Sequence, residues 1–561
     1  MRRHLLKISP NPSLPKRGTP PFCKGREEGF GFQCPYNYGL INNLPAMSNL
    51  KRKEIFILLL CLLIGFALRF YSFDQKSLWI DEIHTFNDSR DGMIEQIKFY
   101  KENPAYLHPP LFFILTHQFY PFTKPERDLR IIPLIFGILS IPMFYLLAKS
   151  FSPGIALPCT LSLTFMTYHI SLSQDGRSYS LLMFLGMTGF YFFLKHIQTS
   201  KIRYLFLVAS LFSALFYTSY SSIPFMVLSQ ILWFYRPNEE AKKPTLSPFL
   251  ILNGLILLFC LPWILFVVAN YKGQPIMDPL HGDPGSFFNI FSGVILDWVL
   301  HLPLMIISII LLILFPLFTK YKKNALILLT VFILPIGGLY LYCKLLNITH
   351  FVTSRYFVNF LPLFFITIFI SLDTIEMRFE RLRKLLRLKL AFLIFLIASN
   401  LIILPHYYSS EKQDFRGLAN YLKGQLREGD KIFVQSIAYI PGILHYFRII
   451  PKGRHYFIPF ELKDSRTQIE FKKPFLFENK TYTIYSSNIC CDQYISDGNR
   501  LWIVHGKDTA KIFSESSHVV LKGYFDGSFA SFRRFPSDAS MYLFLLDPKS
   551  PDEKGIDMPI E

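Results

Sequence analysis

Long apolar stretches separated by short polar segments run through most of the chain. Many of these stretches hold roughly 15–20 residues, close to the length that an α-helix needs to cross a bilayer. Because a helix satisfies its own backbone hydrogen bonds inside lipid, the pattern predicts membrane-spanning helices. Examples are Ile55–Tyr71, Ile131–Leu147, Phe249–Val268, Leu302–Phe318, Ala325–Tyr342 and Leu390–Leu404.

Composition supports the same interpretation. Of 561 residues, 51% are hydrophobic and 58 are Phe. Too little polar surface would remain to cover one soluble core of that size. The predicted fold class is therefore mostly α, a polytopic transmembrane helical bundle.

The formal net charge of +19 does not indicate nucleic-acid binding. Much of the positive charge lies in short segments between apolar runs, as the positive-inside rule predicts for cytoplasmic loops. If the short apolar segment Leu111–Phe122 does not cross, sixteen loop cations lie inside and four outside, namely Arg177, Lys272, Lys344 and Arg355. This bias favours a juxtamembrane helix at Leu111–Phe122, about eleven spans and a cytoplasmic N-terminus.

Three regions differ in character. Residues 1–46 are Pro-rich and basic, and they form either a disordered extension or a segment upstream of a true start at Met47. Residues 47–407 form the membrane domain. Residues 408–561 are more polar and combine a helix-like stretch, Asp414–Arg427, with strand-like runs. They predict a small extracytoplasmic α/β domain, with strands at Lys431–Gln435, Thr481–Ser486, Leu501–His505, Val519–Tyr524 and Tyr542–Leu546.

Two adjacent carboxylates, Asp81 and Glu82, follow the first predicted span within the segment SLWIDE. A carboxylate at the membrane surface can accept the proton of an acceptor hydroxyl during sugar transfer. The alternative is an acidic cap on a short helix that starts near Ile83. His108, followed by two prolines at the other end of the loop, is either a phosphate ligand or part of a structural turn.

Two arginines lie on the side of the membrane opposite the basic loops. Arg177 belongs to SQDGRSY, and Arg355 belongs to SRY, close to His350. A cation in such a place usually has an anionic partner, which for Arg177 is either Asp175 or a lipid phosphate. Guanidinium groups suit phosphate because they donate two parallel hydrogen bonds. The sequence thus predicts a phosphate site supported by Asp175, Tyr179 and Tyr356.

These motifs occur in a recognisable order: SLWIDE, HPPLFFILTHQF, RIIPLIFGILSIPMFYLLAKSF, SLSQDGRSYSLL and SRYFVNFLPL. Over roughly Lys51–Leu372, the chain resembles the GT-C membrane glycosyltransferases. It is similar to protein O-mannosyltransferases, lipid A aminoarabinose transferases and the bacterial rhizobial-lipopolysaccharide sugar transferase group. The later segments EKQDFRGLANYL and GDKIFV also resemble bacterial members. One segment departs from the family, which has Gln-Glu-Ala-Arg where this chain has Gln174-Asp175-Gly176-Arg177.

The resemblance implies an inverting glycosyltransferase in a bacterial inner (plasma) membrane, with a polyprenyl-phosphate sugar donor. The acceptor would be a glycan, lipid or protein. It places the catalytic base at Asp81, with Glu82 beside it. No cofactor is certain, because relatives differ in their use of a divalent metal; Asp81, Glu82 and His108 could supply ligands. A transporter or flippase of a glycolipid precursor, or a polysaccharide polymerase with other catalytic residues, is the alternative.

Overall fold

The computed structural model describes residues 52–102, 107–234, 246–270, 286–318, 333–341, 344, 353–379, 387–449, 460–464, 467–471, 475–486, 498–506, 519–528, 539–550 and 554–556. All of them belong to one compact unit of the chain. The expectations for residues 1–46 and for His350 lie outside the described residues.

Helices dominate the first three-quarters of the chain. In chain order they are α1 Arg52–Phe70, α2 Ile80–Arg90, α3 Met93–Glu102, α4 Leu111–His117, α5 Pro125–Asp128, α6 Ile131–Phe151, α7 Pro153–Phe165, α8 Thr167–Ser173, α9 Tyr179–Thr199, α10 Ile202–Thr218, α11 Ile223–Ser229, α12 Leu246–Asn270, α13 Phe287–Val299, α14 Leu302–Phe318, α15 Leu361–Arg378, α16 Leu388–Ser409, α17 Phe415–Gln425 and α18 Ile440–Phe447. Four short 3-10 helices accompany them within the described residues, at Tyr220–Ser222, Gln230–Phe234, Ser354–Phe360 and Ile437–Tyr439.

Several helices are long and apolar enough to cross a membrane. The described residues contain five such segments, or seven if each of two bent helix pairs forms one span. The bent pairs are α7 with α8, at 60°, and α13 with α14, at 115°. The mostly helical fold is thus confirmed, whereas the total of about eleven spans stays a prediction.

The break between α7 and α8 is stabilised by a fully buried arginine, Arg69, at the end of α1. A bend frees backbone carbonyls that must find donors when water is absent. The Arg69 guanidinium donates to the carbonyl of Leu163 at 2.8 Å and to that of Thr164 at 3.1 Å. It also contacts the His169 ring nitrogen Nδ1 at 2.8 Å. The buried charge therefore serves to join α1 to a broken helix.

The short apolar segment at Leu111 forms helix α4 of only seven residues. At about 1.5 Å per residue, such a helix is far too short to cross a bilayer. Phe112 and Phe113 of α4 are buried in the bundle core. The expectation that this segment does not span is confirmed by its length.

The C-terminal region contains a six-stranded sheet with strand order β4-β5-β1-β6-β8-β7. Strand β1 pairs in parallel with β5 and β6, and the outer pairs are antiparallel. The five predicted strands are confirmed as β1, β5, β6, β7 and β8, while β4 and a separate two-stranded sheet, β2 with β3, were not predicted. The strands are β1 Asp430–Val434, β2 Phe460–Asp464, β3 Thr467–Phe471, β4 Phe475–Glu478, β5 Tyr482–Ser486, β6 Leu501–Gly506, β7 Val520–Phe525 and β8 Met541–Leu546.

The predicted helix after Asp414 is confirmed as α17. Its N-terminus is capped by the Asp414 side chain, which accepts a hydrogen bond from the Gly417 backbone N–H at 2.8 Å. Helix α18 was not predicted. Both helices pack on the sheet, so the region is an α/β arrangement as expected.

One hydrophobic core joins the C-terminal region to the loop between α1 and α6. Leu78, Ile83, Phe122 and Leu129 from that loop are buried together with side chains of α17, α18 and the sheet. The C-terminal members are Phe415, Leu418, Ala419, Leu422, Ile432, Val434, Ile440, Ile443, Leu444, Phe447, Ile484, Trp502, Val504, Phe525, Met541, Leu543 and Leu545. The loop that carries SLWIDE therefore folds against the far end of the chain.

This shared core predicts unequal effects for two isoleucines of the same loop. Ile83 is fully buried, whereas Ile94 is 68% exposed. We expect Ile83→Ala to lower the free energy of unfolding by ~2–4 kcal/mol, since it removes buried methyl groups and leaves a cavity. The matched variant Ile94→Ala should cost less than about 0.5 kcal/mol. Denaturant titration in detergent measures both, and equal losses would contradict the shared core.

Candidate active site

A buried ion pair fixes the loop that carries the two adjacent carboxylates. Arg130, just before α6, is 2% exposed and Glu82 is fully buried. Arg130 Nε lies 2.7 Å from Glu82 Oε1, and Arg130 Nη2 lies 2.6 Å from Glu82 Oε2. The same guanidinium donates to the backbone carbonyls of Phe73, Lys76 and Ser77 at 2.9–3.1 Å. Arg130 thus holds the chain on both sides of the turn into α2.

Every acceptor position of the Glu82 carboxylate is in use. Besides Arg130, its Oε1 accepts from the Gly176 backbone N–H at 2.6 Å and its Oε2 accepts from the Trp79 N–H at 3.4 Å. An ionised carboxylate offers about four lone-pair sites. Glu82 is therefore placed as a structural anion, away from Asp81, with which the sequence had grouped it.

Gly176 explains part of the departure from the family pattern. A Cβ at this position would lie 3.2 Å from Glu82 Oε1 and 3.2 Å from Leu129 Cβ. Contacts of that length require the neighbours to shift, and both are buried. Glycine lets the backbone approach the Glu82 carboxylate closely enough to donate its N–H.

Asp81 has the opposite environment, although it is the next residue along the chain. Its side chain is 28% exposed, and its Oδ2 lies 3.3 Å from Arg355 Nη1. Arg177 Nη1 donates to the Asp81 backbone carbonyl at 3.2 Å and to Thr85 Oγ1 at 3.3 Å. The structure therefore brings together Asp81, Arg177 and Arg355, which are far apart in sequence.

Aromatic rings hold the Arg355 guanidinium in place. The guanidinium carbon lies 5.1 Å from the Trp79 ring centroid and 5.5 Å from that of Tyr179. Contacts of this kind stabilise a cation and limit its rotation. Tyr356 is half-buried and packs against the bundle core. Tyr179 thus contacts the cation directly, and Tyr356 supports the same 3-10 helix.

Asp175 is 2% exposed and is already paired. Its Oδ1 accepts from Trp79 Nε1 at 3.0 Å, and its Oδ2 lies 3.0 Å from Lys412 Nζ. Lys412 comes from the C-terminal region, and sequence reasoning did not include it. Among the described residues, no ion pair joins Asp175 to Arg177, so the salt bridge considered from the sequence is replaced by one to Lys412.

Two histidines lie close to these charges. His84 follows Asp81 by one helical turn, and His108 ends the same loop. Burial is the largest cause that lowers the pKa of His84 and of His108, each to about 4. The charge of Arg177 lowers the pKa of His108 further. The charge of Asp81 partly opposes the effect of burial on His84. His108 nevertheless has an accessible side chain. His84 was missed because a lone histidine in a helix carries no sequence signal.

The charges of the site shift the pKa of the ionisable groups that face it. Burial raises the pKa of Asp81, but the nearby positive charges, of which Arg177 and then Arg355 contribute most, lower it by a larger amount. The net shift is downward. For Arg177, burial lowers the pKa, but Asp81, Tyr179 and Asp175 together outweigh that effect, so that the net shift is upward. Asp81 is therefore an ionised carboxylate at neutral pH, and Arg177 is a cation.

The backbone of SLWIDE is fixed by side chains from the start of the C-terminal region. The Ser77 N–H donates to Glu411 Oε2 at 3.0 Å, and the Ile80 N–H donates to Gln413 Oε1 at 2.9 Å. Between them, the Leu78 N–H donates to the Tyr446 hydroxyl at 2.7 Å. These contacts position the residues that immediately precede Asp81.

Within the part of the chain that the structure describes, no three His, Cys, Asp or Glu side chains group so that they could hold a metal ion. Of the ligands considered from the sequence, Glu82 has both oxygens bound to Arg130. The described donor set at Asp81 therefore does not fit a metal centre.

No protein-family model and no curated protein matches the chain. Several solved structures do match, and two of them are structures of one protein. ArnT from Cupriavidus metallidurans in the apo state is 12% identical, with a TM-score of 0.50 over 88% of this chain and 98% of that chain. The same protein bound to undecaprenyl phosphate is 12% identical, with a TM-score of 0.45 over 87% of this chain and 97% of that chain. The first likeness shows that the chain has the type of fold seen in that protein, while the GT-C superfamily and its subgroup stay predictions.

The Arg130–Glu82 pair yields a direct test of its structural role. We expect Glu82→Gln to lower the free energy of unfolding by ~3–5 kcal/mol, because it leaves the Arg130 charge buried without a counter-ion. The matched variant Glu95→Gln changes an exposed side chain and should cost less than about 0.5 kcal/mol. Denaturant titration in detergent compares them. A Glu82→Gln protein of normal stability would show that the pair is not needed.

Proposed function

We propose that this chain is a membrane glycosyltransferase that transfers a sugar from a polyprenyl-phosphate donor to a glycan, lipid or protein acceptor. The observation that carries the proposal is the place of one accessible, ionised carboxylate, Asp81, beside two guanidinium groups: its Oδ2 lies 3.3 Å from Arg355 Nη1, and its backbone carbonyl accepts from Arg177 Nη1 at 3.2 Å. A base beside a phosphate-binding pair of arginines is what sugar transfer from a lipid phosphate requires. The predicted GT-C type of fold supports the same reaction class.

Asp81 is the proposed general base. The acceptor hydroxyl oxygen attacks the anomeric carbon of the donor sugar, and its proton passes to an Asp81 carboxylate oxygen. The bond between the anomeric carbon and the phosphate oxygen breaks, and its electron pair stays on the departing polyprenyl phosphate. Attack opposite to the leaving group inverts the configuration at the anomeric carbon.

Arg177 and Arg355 are the proposed phosphate ligands. Negative charge grows on the phosphate as the glycosidic bond breaks, and fixed cations stabilise that charge at no cost of reorganisation. Arg355 is held between aromatic rings, and Arg177 is held by a backbone carbonyl and a hydroxyl. His108, with its pKa of about 4, would be neutral and able to donate one hydrogen bond to the same phosphate. His350, outside the described residues, is retained as a further candidate ligand.

Glu82 has a positioning role in this proposal. Its carboxylate is buried and fully hydrogen-bonded, so it cannot reach a substrate hydroxyl. By anchoring Arg130 and the Gly176 backbone, it fixes the direction in which Asp81 faces. The supporting residues Asp175, Tyr179 and Tyr356 hold the cations.

Charge distribution supports a location for this site at the extracytoplasmic face of a bacterial inner membrane. The basic loops assigned to the cytoplasm lie at the opposite ends of the predicted spans from Asp81, Arg177 and Arg355. In this arrangement residues 47–407 form the membrane domain, and residues 408–561 lie over the site on the outer side. Membrane lipids would surround the exposed apolar faces of α1 and α12.

The role of Asp81 is tested by Asp81→Asn, which keeps the shape of the side chain and removes its basicity. We expect transfer from radiolabelled polyprenyl-phosphate sugars to fall at least about a hundredfold, the usual contribution of a general base. Binding of polyprenyl phosphate should persist. Asp91→Asn, at the other end of α2, is the matched control and should transfer normally. Near-normal transfer by Asp81→Asn would refute the assignment and favour a polymerase or transferase with other catalytic residues, whereas a wild type that transfers no sugar would favour a transporter.

The pH dependence of the reaction tests the electrostatic coupling between Asp81 and its cations. Because Arg177 and Arg355 lower the pKa of Asp81, the acid limb of kcat/KM should lie below the ordinary carboxyl range. Arg177→Gln removes the largest of these charges and raises the pKa of Asp81. As the pH is lowered, Arg177→Gln should therefore lose activity at a pH roughly one unit above that at which the wild type loses it. The control variant Arg90→Gln, on the helix that carries Asp81, should leave the acid limb unchanged. An unshifted acid limb in Arg177→Gln would contradict the coupling.

A further inference from the structure

Lys412 enters the site from outside the membrane domain. It lies three residues after the end of α16, and it is 9% exposed. Its Nζ is 3.0 Å from Asp175 Oδ2 and 5.1 Å from the centroid of the Trp79 ring. A buried lysine that is fixed by a carboxylate and an aromatic ring has a defined position, unlike a surface lysine.

The contacts of Lys412 lead directly to the proposed phosphate ligands. Asp175 also accepts from the Trp79 indole N–H at 3.0 Å. The Trp79 ring in turn contacts the Arg355 guanidinium at 5.1 Å. Lys412 and Arg355 therefore contact the same ring, and Asp175 sets the orientation of that ring.

Asp175 also stands two residues before Arg177, so it could compete with the donor phosphate for that guanidinium. In the described structure it does not, because its oxygens are held by Lys412 and Trp79. Without Lys412, Asp175 would be a buried carboxylate lacking a cation, and Arg177 would be the nearest replacement in sequence.

Charge balance gives the same conclusion. Asp81, Asp175, Arg177, Arg355 and Lys412 carry one excess positive charge, which matches the single negative charge of a phosphodiester. Removing the lysine leaves no excess. Methionine is an unbranched side chain without the charge, so Lys412→Met isolates what the charge contributes.

We propose that Lys412 is a positioning residue, which neutralises Asp175 and so keeps Arg177 and Arg355 available for the lipid phosphate. This inference rests on the proposed function. In this proposal the C-terminal region contributes a charged side chain to the site and does not merely cover it. It also explains why an acidic residue can stand beside a phosphate-binding arginine without blocking it.

A double-mutant cycle tests this role in the full-length protein, with polyprenyl phosphate as the probe. We expect Lys412→Met to weaken binding about tenfold, because Asp175 then competes with the phosphate for Arg177. Asp175→Asn added to Lys412→Met should restore most of the lost affinity, since no competing carboxylate remains. Lys412→Arg should bind nearly as well as the wild type, and Lys480→Met, at an exposed site in the same region, should bind normally.

Two outcomes would overturn the proposal. Unchanged binding by Lys412→Met means that Asp175 does not compete. Weak binding that Asp175→Asn fails to restore means that Lys412 contacts the phosphate itself and is not a positioning residue.

Thermal unfolding of the wild type, Lys412→Met, Asp175→Asn and the double variant separates this proposal from the proposed function. The stabilities could show a coupling between Lys412 and Asp175 while the wild type neither binds polyprenyl phosphate nor transfers sugar. That result would refute the proposed function and, with it, the positioning role. Normal wild-type binding and transfer without any coupling between the two residues would refute the positioning role alone.

Discussion

The site depends on one buried ion pair, Arg130–Glu82. Both side chains are removed from water, and the guanidinium also binds three carbonyls of the preceding turn. A buried pair is a weak source of net stability but is costly to break on one side. Its main effect here is geometric, because it holds α2, the start of α6 and the Gly176 backbone in one arrangement. In that arrangement Asp81 lies beside Arg355, and its backbone carbonyl accepts from Arg177.

Two adjacent carboxylates with similar ordinary pKa values thereby acquire different roles. Successive residues of a helix point about 100° apart, so Asp81 and Glu82 face different surroundings. Glu82 is fully buried and all of its acceptor positions are filled, whereas the side chain of Asp81 is 28% exposed and lies beside Arg355. Different surroundings, not different chemical types, allow one of two neighbouring acids to serve as a structural anion and the other, as we propose, as a base.

The sequence predicts those features that depend on local pattern. Apolar runs indicated the long helices, and alternating β-branched and aromatic residues indicated five strands of the C-terminal sheet. Charge bias grouped Asp81, Arg177 and Arg355 on one side. The partners of the charges could not be predicted in this way, since Arg130 meets Glu82 across 48 residues and Lys412 reaches Asp175 from beyond the last bundle helix. No periodicity encodes such pairs, because they exist only after the helices have packed. His84 and the structural role of Glu82 were missed for the same reason.

The shared core explains why the C-terminal region could supply a charge to a membrane site. The loop between α1 and α6 has too few apolar side chains to bury a core of its own, and Leu78, Ile83, Phe122 and Leu129 complete theirs against α17, α18 and the sheet. Hydrogen bonds from Ser77, Leu78 and Ile80 to Glu411, Tyr446 and Gln413 then set the backbone before Asp81. The backbone that leads into Asp81 is thus positioned by residues more than 300 positions away. Because the same segment that fixes this backbone also carries Lys412, the docking of the C-terminal region and the charge state of the site form together.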